Sequence, residues 1–114
     1  MPRNILESVQ GTLDFLILKT LSSGERHGYA IARWIFDRSG EELEIEEGTL
    51  YPALHRLEER GWIAAAWGVS ENNRRAKFYR LTRTGRRELA RRAANWRRFT
   101  LAIDRLLDAE PEQA

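Results

Sequence analysis

Apolar and polar positions follow two different periods along this chain. In residues 12–21, Leu13, Ile17 and Leu21 recur at four-residue steps with Leu16 beside them, which predicts a helix with one buried face. Gly24 supplies its stop. Ile31 and Ile35 predict a second helix over residues 27–38, ended by Gly40, with Ala30 and Ala32 small enough for a neighbour to approach closely. Trp34 and Phe36 cannot share that face, so apolar surface is left over for a second contact. Residues 41–47 form an acidic connector in which positions 43–45 suit a short strand. Leu50, Leu54 and Leu57 then mark a third helix, closed by Gly61.

After Gly61 the pattern changes. Residues 62–67 and 76–82 are two short runs with aromatic and branched members, separated by the turn-rich loop Gly68-Val-Ser-Glu-Asn-Asn-Arg-Arg75. This predicts a β-hairpin, although the alanine triplet at 64–66 also suits a helix. Thr82 or Thr84 can cap a last long helix running to about Leu107. Leu89, Ala93, Trp96, Thr100, Ile103 and Leu107 alternate in steps of four and three, the seam of helices packed side by side, and Phe99 and Leu106 widen the stripe. The expected architecture is therefore mainly α with a small β-hairpin. Residues 1–82 form one unit, 83–107 a long helix, and 108–114 a disordered tail containing Pro111.

One position resists this scheme. Pro52 sits inside the third helix, where it has no N–H to donate to the carbonyl of residue 48. Either the helix starts near Gly48 or its first turns are loosened. Glu46 and Glu47 suit that start through the helix dipole.

Charge sharpens the picture. The 114 residues carry a net +2, but residues 1–70 hold seven basic side chains against eleven acidic ones. Residues 71–98 hold eleven basic side chains against only Glu71 and Glu88. Such a concentrated positive field attracts polyanions, the alternative for residues 86–98 being a solvated arginine-rich helix face. There is no apolar run long enough to span a membrane, no secretory leader and no cysteine, so the cytoplasm is the default compartment. With two histidines, no His-Glu-x-x-His spacing and no glycine-rich phosphate loop, the residues favour no enzyme, cofactor or metal site.

Three helices followed by a hairpin is the order of a winged helix-turn-helix, in which one helix enters the major groove of duplex DNA. Gly48 and Thr49 leave a slim helix start whose amides can meet a phosphate. Tyr51, Pro52, His55 and Arg56 lie on its outer side, and Asn72, Asn73, Arg74, Arg75 and Lys77 lie in or beside the hairpin loop. Bland readings stand beside these: Tyr51 as a half-buried ring, His55 as a surface histidine, Arg56 paired with Glu59. His27 fits the start of the second helix better than a catalytic site. A winged-helix module that binds a protein through residues 41–47, Trp34 and Phe36 is the alternative to DNA binding.

The stretches Gly11-Thr-Leu-Asp-Phe-Leu-Ile-Leu, His27-Gly-Tyr-Ala-Ile, Glu47-Gly-Thr-Leu-Tyr-Pro-Ala-Leu-His-Arg-Leu-Glu and Arg74-Arg-Ala-Lys-Phe-Tyr-Arg-Leu-Thr82 together resemble the PadR family of bacterial transcriptional regulators. The resemblance implies an N-terminal winged helix-turn-helix, a C-terminal dimerisation helix, and homodimers that repress nearby genes at inverted-repeat operators, often relieved by a small molecule. It places DNA contacts at Thr49, Tyr51, Pro52, His55, Asn73, Arg74, Arg75 and Lys77. In some short members of the family an aromatic residue of the last helix stacks on flat ligands between subunits, which makes Trp96 the candidate effector contact here, with Arg92, Arg97 and Phe99 as neighbours. The alternative is that Trp96 simply fills the dimer seam.

Overall fold

The computed structural model describes residues 11–112. Residues 1–10 of the expected first unit and 113–114 of the expected tail lie outside them. In chain order the elements are α1 (Thr12–Ser22), β1 (Arg26–His27), α2 (Gly28–Arg38), α3 (Glu47–Glu59), β2 (Ile63–Val69), β3 (Arg75–Leu81) and α4 (Arg83–Leu107). The chain is mainly helical with a three-stranded antiparallel sheet in the order β1-β3-β2.

The apolar periods account for the core. Leu13, Ile17, Leu18 and Leu21 of α1, Ile31 and Ile35 of α2, and Leu50, Ala53, Leu54 and Leu57 of α3 are buried together with Ile63, Tyr79 and Leu81 of the sheet. Each buried Leu or Ile contributes about 1.5–3 kcal/mol relative to an exposed one. Trp34 does not supply the spare surface expected of it. It packs half-buried against this core, and the guanidinium groups of Arg26 and Arg38 lie 5.4 and 5.5 Å from its ring centre.

The expected strand at 43–45 does not form. Leu43 and Ile45 pack on the core from an irregular segment, and the Leu43 N–H donates to the Ser39 hydroxyl at 3.0 Å. The third strand is instead β1, where Arg26 and His27 pair with Tyr79 and Phe78. His27 also caps α2, its Nδ1 accepting from the Ala30 N–H at 3.2 Å.

The hairpin forms as expected, with Ile63 opposite Leu81 and Val69 opposite Arg75. Thr82 locks its open end. Its N–H donates to the Trp62 carbonyl (3.1 Å), its hydroxyl donates to the Gly61 carbonyl (2.7 Å), and the same oxygen accepts from Gly85 N–H (3.0 Å). Gly85 is buried directly against the Trp62 carbonyl, where any side chain would collide. The first half of α4 packs on α1. The second half runs out from the body, stretching the molecule to 65 × 29 × 21 Å.

Candidate nucleic-acid interface

α3 begins at Glu47, one residue before the expected start. Thr49 and Leu50 N–H groups donate to the Glu46 carbonyl at 3.0 and 2.9 Å. Pro52 therefore lies in the second turn, and the Gly48 carbonyl loses its regular donor. This is tolerated because that side of the helix faces outward: Gly48, Thr49, Tyr51, Pro52 and His55 are all exposed, while Leu50, Ala53, Leu54 and Leu57 point inward.

Tyr51 is 45% exposed, and its ring crosses the start of α2. A Cβ on Gly28 would stand 2.8 Å from the Tyr51 hydroxyl and 2.9 Å from its ring edge, so the glycine makes room for the ring. His55 lies beside Glu59, Nε2 to carboxylate 3.7 Å, with both side chains mostly in solvent. Arg56 is not fully available to a ligand. It is half-exposed, but its Nη2 donates to the buried Asp14 carboxylate at 2.8 Å and ties α3 to α1.

At the hairpin tip, Ser70 N–H donates to the Arg74 carbonyl (2.8 Å) and Asn73 N–H to the Ser70 carbonyl (2.9 Å). Asn73 takes a left-handed conformation (φ 58°), so it shapes the turn while its side chain stays exposed. Arg74 is exposed, and the Arg75 guanidinium lies 4.5 Å from the Trp67 ring centre. Lys77 turns back to α3, its Nζ 3.3 Å from a Glu58 carboxylate oxygen. Burial pushes the neighbouring Tyr79 phenol above its ordinary pKa.

Between α3 and the hairpin runs an open groove of about 720 Å³. Of the expected contacts, Tyr51, Arg74, Arg75 and Lys77 line it. Thr49, Pro52, His55, Arg56 and Asn73 do not, and instead stand on the exposed outer side of α3 or at the hairpin tip. The groove also takes in Tyr29 (67% exposed) and Trp67 (60% exposed), which the sequence reading left out. For Tyr29 a signal existed, since it is out of phase with Ile31 and Ile35; Trp67 becomes visible only through its register opposite Lys77.

A second concavity, about 430 Å³, opens between α1 and α4. Phe15, Trp96 and Phe99 form its aromatic wall, with ring centres 6.0 Å (Phe15–Trp96) and 5.9 Å (Trp96–Phe99) apart. Arg91 and Arg92 flank it. The Thr12 hydroxyl in its lining is buried without a hydrogen-bond partner among the described residues. Along the expected seam, Leu89 packs on the chain's own core, and Ala93 and Thr100 are half-buried. Phe99, Ile103 and Leu107 are exposed, as is part of Trp96.

Residues 17–91 match the model of the Transcriptional regulator PadR-like family, from the second half of α1 to the first turns of α4. The chain belongs to the PadR-like family. PadR-like proteins are DNA-binding transcriptional regulators rather than enzymes, and this chain is one of them. It is similar to the Negative transcriptional regulator PadR of Bacillus subtilis (strain 168), with 30% identity over 68% of this chain but only 42% of that relative's length. It is also similar to a transcriptional regulator from Clostridium thermocellum, with 31% identity and a TM-score of 0.77 over 87% of this chain and 96% of the other. A PadR family transcriptional regulator from Eggerthella lenta matches with 33% identity and a TM-score of 0.76 over 93% and 90% of the two chains. The four helices and small antiparallel sheet of this chain match the winged helix PadR fold, with the hairpin as the wing. No helix among the described residues is long and apolar enough to cross a membrane.

Proposed function

We propose that the protein acts as a homodimeric repressor that binds an inverted-repeat operator in the cytoplasm. The first turns of α3, with Thr49, Tyr51, Pro52 and His55, enter the major groove, and Arg74 and Arg75 of the wing hold flanking phosphates. The observation that carries this reading is the shared groove: Tyr51 from α3 and Arg74 and Arg75 from the wing line one open surface. The exposed stripe Phe99, Ile103 and Leu107 supplies the contact between copies, and a two-fold there presents two α3 helices to two half-sites. The Bacillus subtilis relative, named as a negative regulator, supports the repressor sense.

Footprinting on the DNA upstream of the protein's own gene tests this. Protection of two symmetric half-sites, centred about 10 base pairs or a multiple apart, is the expected result. Thr49→Ala should change which sequences are preferred, whereas Arg74→Ala with Arg75→Ala should weaken binding to every sequence. Absence of any protected site would overturn the reading.

A second reading concerns the cleft between α1 and α4. We propose that a small planar effector stacks on Trp96 there. The aromatic wall and the Thr12 hydroxyl, without a partner among the described residues, favour it. A Trp96→Ala variant that binds planar dyes as tightly as wild type would sink it.

A further inference from the structure

The operator-facing surface described above is poor in free positive charge. Lys77 is drawn to Glu58, Arg56 to Asp14, and α3 carries Glu47, Glu58 and Glu59 with Glu46 as its N-cap. Arg74 and Arg75 are left to meet phosphates. Binding of duplex DNA draws most of its sequence-independent affinity from neutralised phosphates, so two arginines are a small contribution.

The missing charge lies on α4. Gly85 marks the inward side of that helix, pressed on the Trp62 carbonyl. On the opposite line, at helical spacing, stand Arg83, Arg87, Ala94 and Arg98, with Arg86 and Arg97 to one side. All of these are exposed, and none of the five arginines has an acidic partner among the described residues. The single acid between residues 83 and 98, Glu88, faces inward and is taken by Arg91 and Arg92.

Arg83 and Arg87 are four apart and repel, a cost that an interspersed glutamate would remove. The centre of the stripe, Ala90 and Ala94, is small and apolar only to the extent of a methyl group. Protein interfaces are built instead around aromatic or aliphatic anchors with charge at the rim. An arginine row flanking a flat centre, running roughly 22 Å from residue 83 to 98, matches a rod-shaped polyanion. Duplex DNA offers about one charge per 1.7 Å of axis over such a length.

We infer that the outward face of α4, through Arg83, Arg86, Arg87, Arg97 and Arg98, is a second, sequence-independent phosphate-binding surface for duplex DNA. It is separate from the wing: α4 starts at the end of β3 remote from the hairpin tip, about 20 Å away along seven residues of strand. It therefore addresses phosphates other than those under Arg74 and Arg75. The inference rests on the DNA-binding reading above and deepens it.

The test is a salt-dependent titration of the full chain with a random-sequence duplex of about 40 base pairs. Four proteins are compared: wild type, Arg83→Gln/Arg87→Gln/Arg98→Gln, the same three positions changed to Lys, and Arg74→Ala/Arg75→Ala. The Gln variant should lose about tenfold or more at moderate salt, and its salt slope should flatten by about 0.9 for each phosphate no longer neutralised. The Lys variant should bind within a few-fold of wild type. The wing variant should keep a binding component that the Gln changes remove. Unchanged affinity and slope in the Gln variant would overturn the inference. So would a changed mass in sedimentation, because the arginines would then serve contacts between protein chains. Titration with the protein's own upstream DNA separates the two readings. A wild type with no preference for it counts against the operator reading, while the random-duplex comparison still reports on α4.

Discussion

The Arg56 guanidinium donates to the Asp14 carboxylate at 2.8 Å across 42 positions of sequence, joining α3, the helix proposed to enter the major groove, to α1. Asp14 is buried and Arg56 half-exposed, so the two ends of this pair are not equivalent. Arg56→Ala leaves a buried carboxylate without its donor and should cost about 1–3 kcal/mol. Asp14→Asn together with Arg56→Ala should cost less than the two single changes summed. Urea denaturation of the four proteins checks this, and strict additivity would show that the pair carries no coupling.

Two glycines make opposite predictions. Gly85→Ala drives a methyl group into the Trp62 carbonyl, a backbone atom that cannot turn aside. A loss of about 3 kcal/mol or more, or failure to fold, is expected in thermal melts. Gly28→Ala meets the free end of the Tyr51 side chain, which can swing outward. Its stability should change by less than about 1 kcal/mol. Its affinity for operator DNA should fall, because the Tyr51 ring loses its place. A Gly28→Ala protein that melts far below wild type would refute the view that this glycine serves the interface rather than the core.

Glu88 sets a pH dependence. The Arg91 hydrogen bond lowers its pKa most, partial burial opposes this, and Arg92 lowers it further, so the group titrates at about 2 instead of about 4.5. A depressed carboxyl pKa stabilises the fold above the ordinary value and loses that contribution as pH falls towards the folded one. Glu88→Gln should therefore be less stable than wild type by about 1 kcal/mol at neutral pH, with half-exposed Arg91 screened by solvent. The gap should close between about pH 4.5 and pH 2. Melts at pH 7, 4 and 2.5 measure it, and a gap that widens in acid would reverse the assignment.

Ile103→Glu tests the contact between copies. Ile103 is exposed, with Phe99 and Leu107 one turn away on either side. A charge placed there should weaken a dimer at least about tenfold without unfolding the protomer, since the residue packs on little within its own chain. Sedimentation at micromolar concentration would show half the wild-type mass. An unchanged mass would move the interface elsewhere.

Much of this was legible because the elements are long and periodic. Leu13, Ile17 and Leu21, or Leu50, Leu54 and Leu57, repeat often enough to define a face, and Thr82 announces a cap. What could not be read depends on tertiary contact. β1 is two residues long and shows no period; it exists because Arg26 and His27 meet Tyr79 and Phe78. Leu43 and Ile45 have strand composition but no strand beside them. Lys77 reads as a free cation and Arg56 as free or paired with nearby Glu59, since nothing local announces Glu58 or Asp14 as the partners. Trp34 reads as spare surface until Arg26 and Arg38 are seen lying over it.

The clamp of Thr82 and Gly85 leaves no slack between wing and α4. In the proposed dimer each copy would carry its reading head on this stiff helix of 25 residues, roughly 37 Å long. Tilting such an arm by about 10° sweeps its far end through roughly 6 Å, close to two base-pair steps. In a dimer joined through these arms, the calibration of the distance between the two heads would reside at their crossing point, far from any base.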